Sequence, residues 1–198
     1  MNIGEFLASI NTFDLLVVFV LMAMFILGFI QGTIRRLLGT AAILFSFLFA
    51  ANVREPLGKF LAANWTHLEP AYAVMIGFGT VFVAGGLAFT VIIQAFYKKV
   101  ALIEKYTVVD EVLGGLLGVL QGLIILGAMI VILDTAFEVP GMPARNTELP
   151  FLRQLHGAYD NSVTAATMRG TLIPAFFAIL GPFIPSALRQ FFPGSGAG

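Results

Sequence analysis

The stretch DEVLGGLLGVLQGLIILGAMIVILD, residues 110–134, decides the fold. From Val112 to Leu133 it runs 22 residues without an ionisable side chain, and acidic residues bracket it on both sides. A helix needs about 20 apolar residues to cross the roughly 30 Å hydrocarbon layer of a bilayer. Nothing in the run alternates with period two, so a strand is excluded. Gly114, Gly118 and Gly122 stand at i, i+4 and i+8, which places them on one face of a helix, with Gly115 beside them. Such a face lets a neighbouring backbone approach closely. That matters in lipid, where helices associate by packing rather than by exclusion from water.

Working outward, three more uncharged runs precede this one: Leu15 to Ile34, Leu37 to Val53 and Ala71 to Tyr97. The second is short and is expected to rely on Arg35, Arg36 and Arg54 reaching to the interfaces. The first two together are far too long for one crossing, so a tight turn is expected around Gln31 to Arg36. The fold class is therefore all-α: a polytopic membrane bundle of four transmembrane helices with interfacial amphipathic helices beside it. Composition agrees. The chain has 59% apolar and 11% charged residues and a mean hydropathy of +0.94, whereas soluble domains carry about 25% charged residues. So much apolar surface would not fit inside a soluble chain of 198 residues.

The 11 cationic and 11 anionic side chains cancel and form no basic run, which argues against a nucleic-acid partner. The chain contains no cysteine, which removes disulfides and thiolate chemistry. No basic residue precedes the first apolar run, so that run is read as retained and not as a cleaved signal. Arg35 and Arg36 fall in the first connection, and Lys98, Lys99 and Lys105 in the third. The positive-inside rule places that side in the cytoplasm and both termini outside.

Residues 1–135 are expected to form the four-helix domain, residues 136–192 an outer interfacial region, and residues 193–198 a disordered tail. Two stripes at helical spacing read as interfacial: Leu57, Phe60, Leu61, Trp65 and Leu68, then Phe151, Leu152, Leu155, Tyr159 and Val163. Asp160 to Ser162 can cap a helix. The run Thr171 to Ile184 is 14 residues long and holds Pro174 and Pro182. It is expected to lie in the outer interface or on the bundle, a fifth span being the competing reading.

Small-residue faces are also expected at Gly39, Ala42, Ser46 and Ala50 on the second span, and at Gly77, Ala84, Ala88 and Ala95 on the third. Packing within one chain is the leading reading of these faces, and a homo-oligomer interface the alternative. No ionisable residue is expected inside a span. Asp14, Asp110 and Asp134 mark span ends. Gln94 and Gln121 are expected to bond between helices, or alternatively to line a pore. Asp110 with Glu111 either faces the helix dipole or offers a docking site. His67 and His156 have no second ligand at metal spacing. His156, Asp160 and Ser162 lack the glycines of a nucleophile elbow and are read as capping and interface residues. No metal, cofactor or catalytic set is assigned.

These residues resemble a known family. Phe13-Asp14, a long apolar run, then Gly28-Phe29 with Gly32 and Arg35, is similar to the first hairpin of the colicin V production protein family. Asp110, Gly114, Gly118 and Gly122, each four after the last, are similar to its second motif. Members often carry an acidic residue after the arginine, where this chain has Arg36. The likeness covers about Asn11 to Leu133. It implies a bacterial inner-membrane protein needed for production or export of a secreted toxin, with a broader part in envelope homeostasis. Some relatives use the bundle to anchor a periplasmic serine protease, and no such catalytic set follows here. The functional expectation is a non-enzymatic scaffold or accessory factor whose partners are the lipid bilayer, further copies of itself, or envelope and export proteins. The alternative is a small oligomeric channel or permease.

Overall fold

The structure, a computed structural model, describes residues 11–65, 70–96, 107–137, 154 and 157–189. Lys98, Lys99, Lys105, His67, Leu68, His156, the stripe from Phe151 to Leu155, and the tail lie outside them. The described residues are helical throughout, with no strand among them. Helix α1 spans Thr12–Gln31, α2 Thr33–Asn64, α3 Pro70–Phe96 and α4 Thr107–Phe137. A fifth helical run, α5, extends over Val163–Phe183. Its middle contains a π-helical turn, Met168–Leu172, and it closes in a 3-10 turn, Gly181–Phe183. A single turn, α6, follows at Ser186–Arg189.

The break between α1 and α2 is one residue wide. Gly32 has φ of +78°, a left-handed conformation that a side chain disfavours, and its amide still bonds Gly28 O at 2.9 Å to finish α1. The expected turn is therefore present. The two helices it joins barely touch each other, because each finds its neighbour elsewhere. Going down α1 from Gly28 to Met24 to Leu21, the facing residues go up α4 from Gly114 to Gly118 to Gly122. Those helices run antiparallel. Helix α2 pairs antiparallel with α3 in the same way, Gly58 against Val74, Ser46 against Gly85 and Ile43 against Gly86.

The core is built where these pairs meet. Phe47 is fully buried, with Phe78, Phe82 and Phe176 at ring-centroid distances of 5.7, 6.3 and 5.5 Å. Met168, Ile173 and Phe177 of α5 join the same core as Val17 of α1 and Val131 of α4. Outside it the helices stay apolar. Leu16, Phe19, Ile30, Leu87, Val91 and Leu116 are all exposed, and only 17% of the most apolar window of α1 is buried. An apolar exterior of this extent is incompatible with water and fits acyl chains. Five helices among the described residues are long and apolar enough to cross a bilayer. The protein is an all-α membrane bundle.

Four expectations need correction. The second span does not end near Val53: α2 continues through Pro56 to Asn64, so Leu57, Phe60 and Leu61 of the stripe read as interfacial belong to the same helix, with Leu57 and Gly58 packed on α3. Arg36 and Arg54 do not reach outward; they are 6% and 4% exposed. They stand on one inward stripe with Thr40, Ile43, Phe47 and Ala50, spaced so that five turns separate the two arginines. On α3, Ala84, Ala88 and Ala95 are exposed, whereas Gly77 of the expected face is buried, as are Tyr72, Met75, Phe78, Phe82 and Gly86.

The last correction concerns the run from Thr171. The helix begins eight residues earlier, at Val163, because Arg169 is neutralised within the bundle and so does not end the apolar segment. It packs on the bundle, as expected, yet it has the length of a span. Its far end meets α2 at Asn52, whose Nδ2 donates to Phe183 O at 3.2 Å. Asn52 lies twenty residues beyond Gly32 along the chain, about 30 Å at the helical rise. The run thus ends short of the Gly32 end.

Candidate functional site

The glycine motif residues form a seam between α1 and α4. A Cβ on Gly28 would fall on the carbonyl of Gly114, and one on Gly118 would fall on the carbonyl of Met24. At Gly114 it would come within 2.8 Å of the Gly32 carbonyl carbon, and at Gly122 within 2.9 Å of Leu21 Cδ2. Gly115 faces the ring of Phe25. Backbone therefore lies on backbone from Met24 to Gly32, about two turns, within a single chain. Gly32 closes the seam: a Cβ there would stand 2.7 Å from Asp110 Oδ2.

The charged motif residues divide between the two ends of α1. At the Gly32 end, Asp110 lies in the first turn of α4 and is 2% exposed, and its carbonyl accepts from Thr33 Oγ1 at 2.8 Å. Its place in the first turn is the one that favours negative charge. At the other end, the Asp14 carboxylate accepts from the amides of Val163 and Thr164 at 3.1 and 2.9 Å. Those amides begin α5 and have no partner within the helix. Asp14 thus ties α1 to α5, while Ser162 caps α5 from within by accepting from Ala165 N at 2.9 Å. Asp14 is not brought together with Arg35 or Asp110.

Beside Asp14 lies a cluster that the residue spacing did not reveal. Asp134 has no exposed surface. It accepts from Tyr159 Oη at 2.6 Å and takes a two-pronged bond from Arg169, Nε at 3.0 Å and Nη2 at 2.7 Å. Arg169 Nη1 reaches Asp160 at 2.6 Å, and the guanidinium lies 5.1 Å from the Tyr159 ring centroid. A buried carboxylate held by a planar fork and a phenol is fully bonded, and it fastens α5 to α4. Three residues of opposite and neutral character were visible in the sequence. Their meeting depended on a helix that the charge of Arg169 concealed.

At the Gly32 end, residues of α1, α2, α3 and α4 line a half-open cavity of about 330 Å³. Gln31, Arg35, Arg36, Thr90, Gln94 and Gln121 line it with Leu27, Ile93 and Gly39. Arg36 Nη1 donates to Gln121 Oε1 at 2.9 Å, whereas Arg36 Nε is buried without a partner. Arg35 is half-buried, and Thr90 and Gln94 are exposed at the rim. Gln94 and Gln121, expected to bond between helices, share this cavity; Gln121 does its bonding to α2. The residue that sequence reasoning missed is Arg36. Its signal was the helical stripe it shares with Ile43 and Phe47, which pointed inward. A second cavity, of about 290 Å³ between α2, α4 and α5, has an entirely apolar lining that includes Leu44, Leu123 and Phe176.

Among the described residues no three His, Asp or Glu gather as a metal site would need. In comparison with known families, the model described as colicin V production protein matches residues 13–181. Neither a curated protein nor a solved structure matches the chain.

Proposed function

The chain belongs to the colicin V production protein family, and from that premise we propose that it is a non-enzymatic membrane factor in toxin production or export. The same reading gives it a part in envelope homeostasis, with the bilayer and export proteins or further copies of itself as partners. One observation supports this most. At the Asp14 end, the residues that carry chemistry are occupied in joining or capping helices: Asp14 with the start of α5, Asp134 with Tyr159 and Arg169, and Ser162 as the cap on Ala165. Groups so engaged are a framework. That engagement supports a structural role for them over that of a nucleophile with its base.

The test is toxin release from a producing bacterium that lacks the gene, complemented by variants. The natural chain restores release. Replacing His156 and Ser162 together leaves release unchanged at equal protein level. Loss of release under those conditions would revive a hydrolytic role.

A channel or permease is the second reading, favoured by Gln94 and Gln121 opening on one cavity. Liposomes holding the purified chain distinguish the two. The accessory role gives no solute or ion flux; flux that disappears in Gln94→Leu establishes the channel.

A further inference from the structure

A guanidinium desolvated inside a helix bundle is expensive unless its donors are met. Arg36 is 6% exposed, and Gln121 is its sole hydrogen-bond partner among the described residues. That partner is a neutral amide, and it meets Nη1 alone. Nε has no acceptor. Among the described residues no carboxylate lines the cavity that Arg36 borders, and Arg35 adds a second positive charge to the same wall. The other polar groups present are the amides of Gln31, Gln94 and Gln121 and the hydroxyl of Thr90. Gln121 accepts from Arg36 through its oxygen, so its amide nitrogen is available as a further donor. Thr90 already donates to Gly86 O at 2.7 Å.

The wall is thus rich in positive charge and in N–H donors and poor in negative charge. The complement is an anion with several acceptor oxygens. Arginine with amide donors suits phosphoryl oxygens, which accept the planar fork. Two cations suit a group of charge near −2. The cavity volume is at the lower end of small-ligand sites. Its rim is formed by exposed Leu27 on α1 and by Thr90 and Gln94 on α3, so the polar pocket opens beside an apolar surface.

We propose that the cavity between α1, α2, α3 and α4 is a binding site for a phosphate-bearing anion, gripped by Arg36 and Arg35 with Gln121 and Gln94. The inference stands independently of a role in export. The anion is either free phosphate or the headgroup of a phospholipid that reaches the pocket from the side.

The full chain, purified in an uncharged detergent, is titrated with three probes: inorganic phosphate, dihexanoyl phosphatidic acid, and dihexanoyl phosphatidylcholine as a zwitterionic control. Saturable binding of phosphatidic acid without inorganic phosphate assigns the headgroup; binding of both assigns the phosphoryl group in either form. Phosphatidylcholine binds at least tenfold more weakly. Arg36→Gln lowers affinity tenfold or more. Because that variant changes a buried residue, Arg35→Gln, at a half-exposed position, provides a second reading and weakens binding threefold or more. The proposal is overturned if neither phosphate probe binds. It is equally overturned if phosphatidylcholine binds as well as phosphatidic acid, or if Arg35→Gln binds like the natural chain.

Discussion

Asp134 is the residue on which the attachment of α5 turns. Removing its carboxylate leaves the Arg169 guanidinium, 22% exposed as a side chain, with the more exposed Asp160 as a carboxylate partner among the described residues. Breaking one side of a buried ion pair destabilises by about 3–5 kcal/mol. We therefore expect Asp134→Ala to lower the thermal midpoint in detergent more than any other single change at this end. The Asp14 interaction is smaller. It resembles an N-cap, so Asp14→Ala should destabilise by about 0.5–2 kcal/mol, read from the same melting curves. Arg36 shows why residue-level reading of the sequence went astray. A basic residue at the edge of an apolar run ordinarily extends its stem toward water. Here helical phase placed it over the core, and phase prevailed because Gln121 stood opposite.

At the scale of elements, the α1–α4 seam makes the sharpest claim. Gly118→Ala puts a methyl group on the Met24 carbonyl, which is backbone and has no rotamer to yield. Overpacking of this kind costs about 1–3 kcal/mol. Gly170, in α5, has nothing within 4 Å of an added Cβ, so Gly170→Ala should leave the melting curve nearly unchanged. The seam also permits a covalent test, since the natural chain contains no cysteine. An added Cβ at Gly122 lies 3.5 Å from Met24 Cβ, within the range of a disulfide. Met24→Cys combined with Gly122→Cys should oxidise within one chain in native membranes, seen as a shifted monomer on a non-reducing gel. A cross-linked dimer instead would place these glycines between copies. This seam was legible because four-residue spacing maps directly onto a helix face. The extent of α2 and the start of α5 were not. Both continue past charged residues, and a run of uncharged letters ends at such residues whether or not a partner neutralises them.

Taken whole, the molecule has an inside defined by Phe47 and its neighbours and an outside as apolar as its core. Leu87, Val91 and Phe96 on α3 are 62%, 64% and 85% exposed. In water that surface would associate without limit. In lipid it is the solvated face, and every backbone amide within the layer must be bonded inside its own helix. Composition alone made this legible, since so low a charge content admits no soluble shell. The arrangement of helices was only half legible: α2 pairs with α3, the next helix in the chain, but α1 passes over α2 to pair with the distant α4. The decisive measurement is the solution state of the purified full chain as detergent is withdrawn. Transferred into lipid nanodiscs, it should remain monodisperse and keep its helical circular dichroism; transferred into plain buffer, it should precipitate. A monodisperse, fully helical species in buffer, with neither lipid nor detergent bound, would contradict the account.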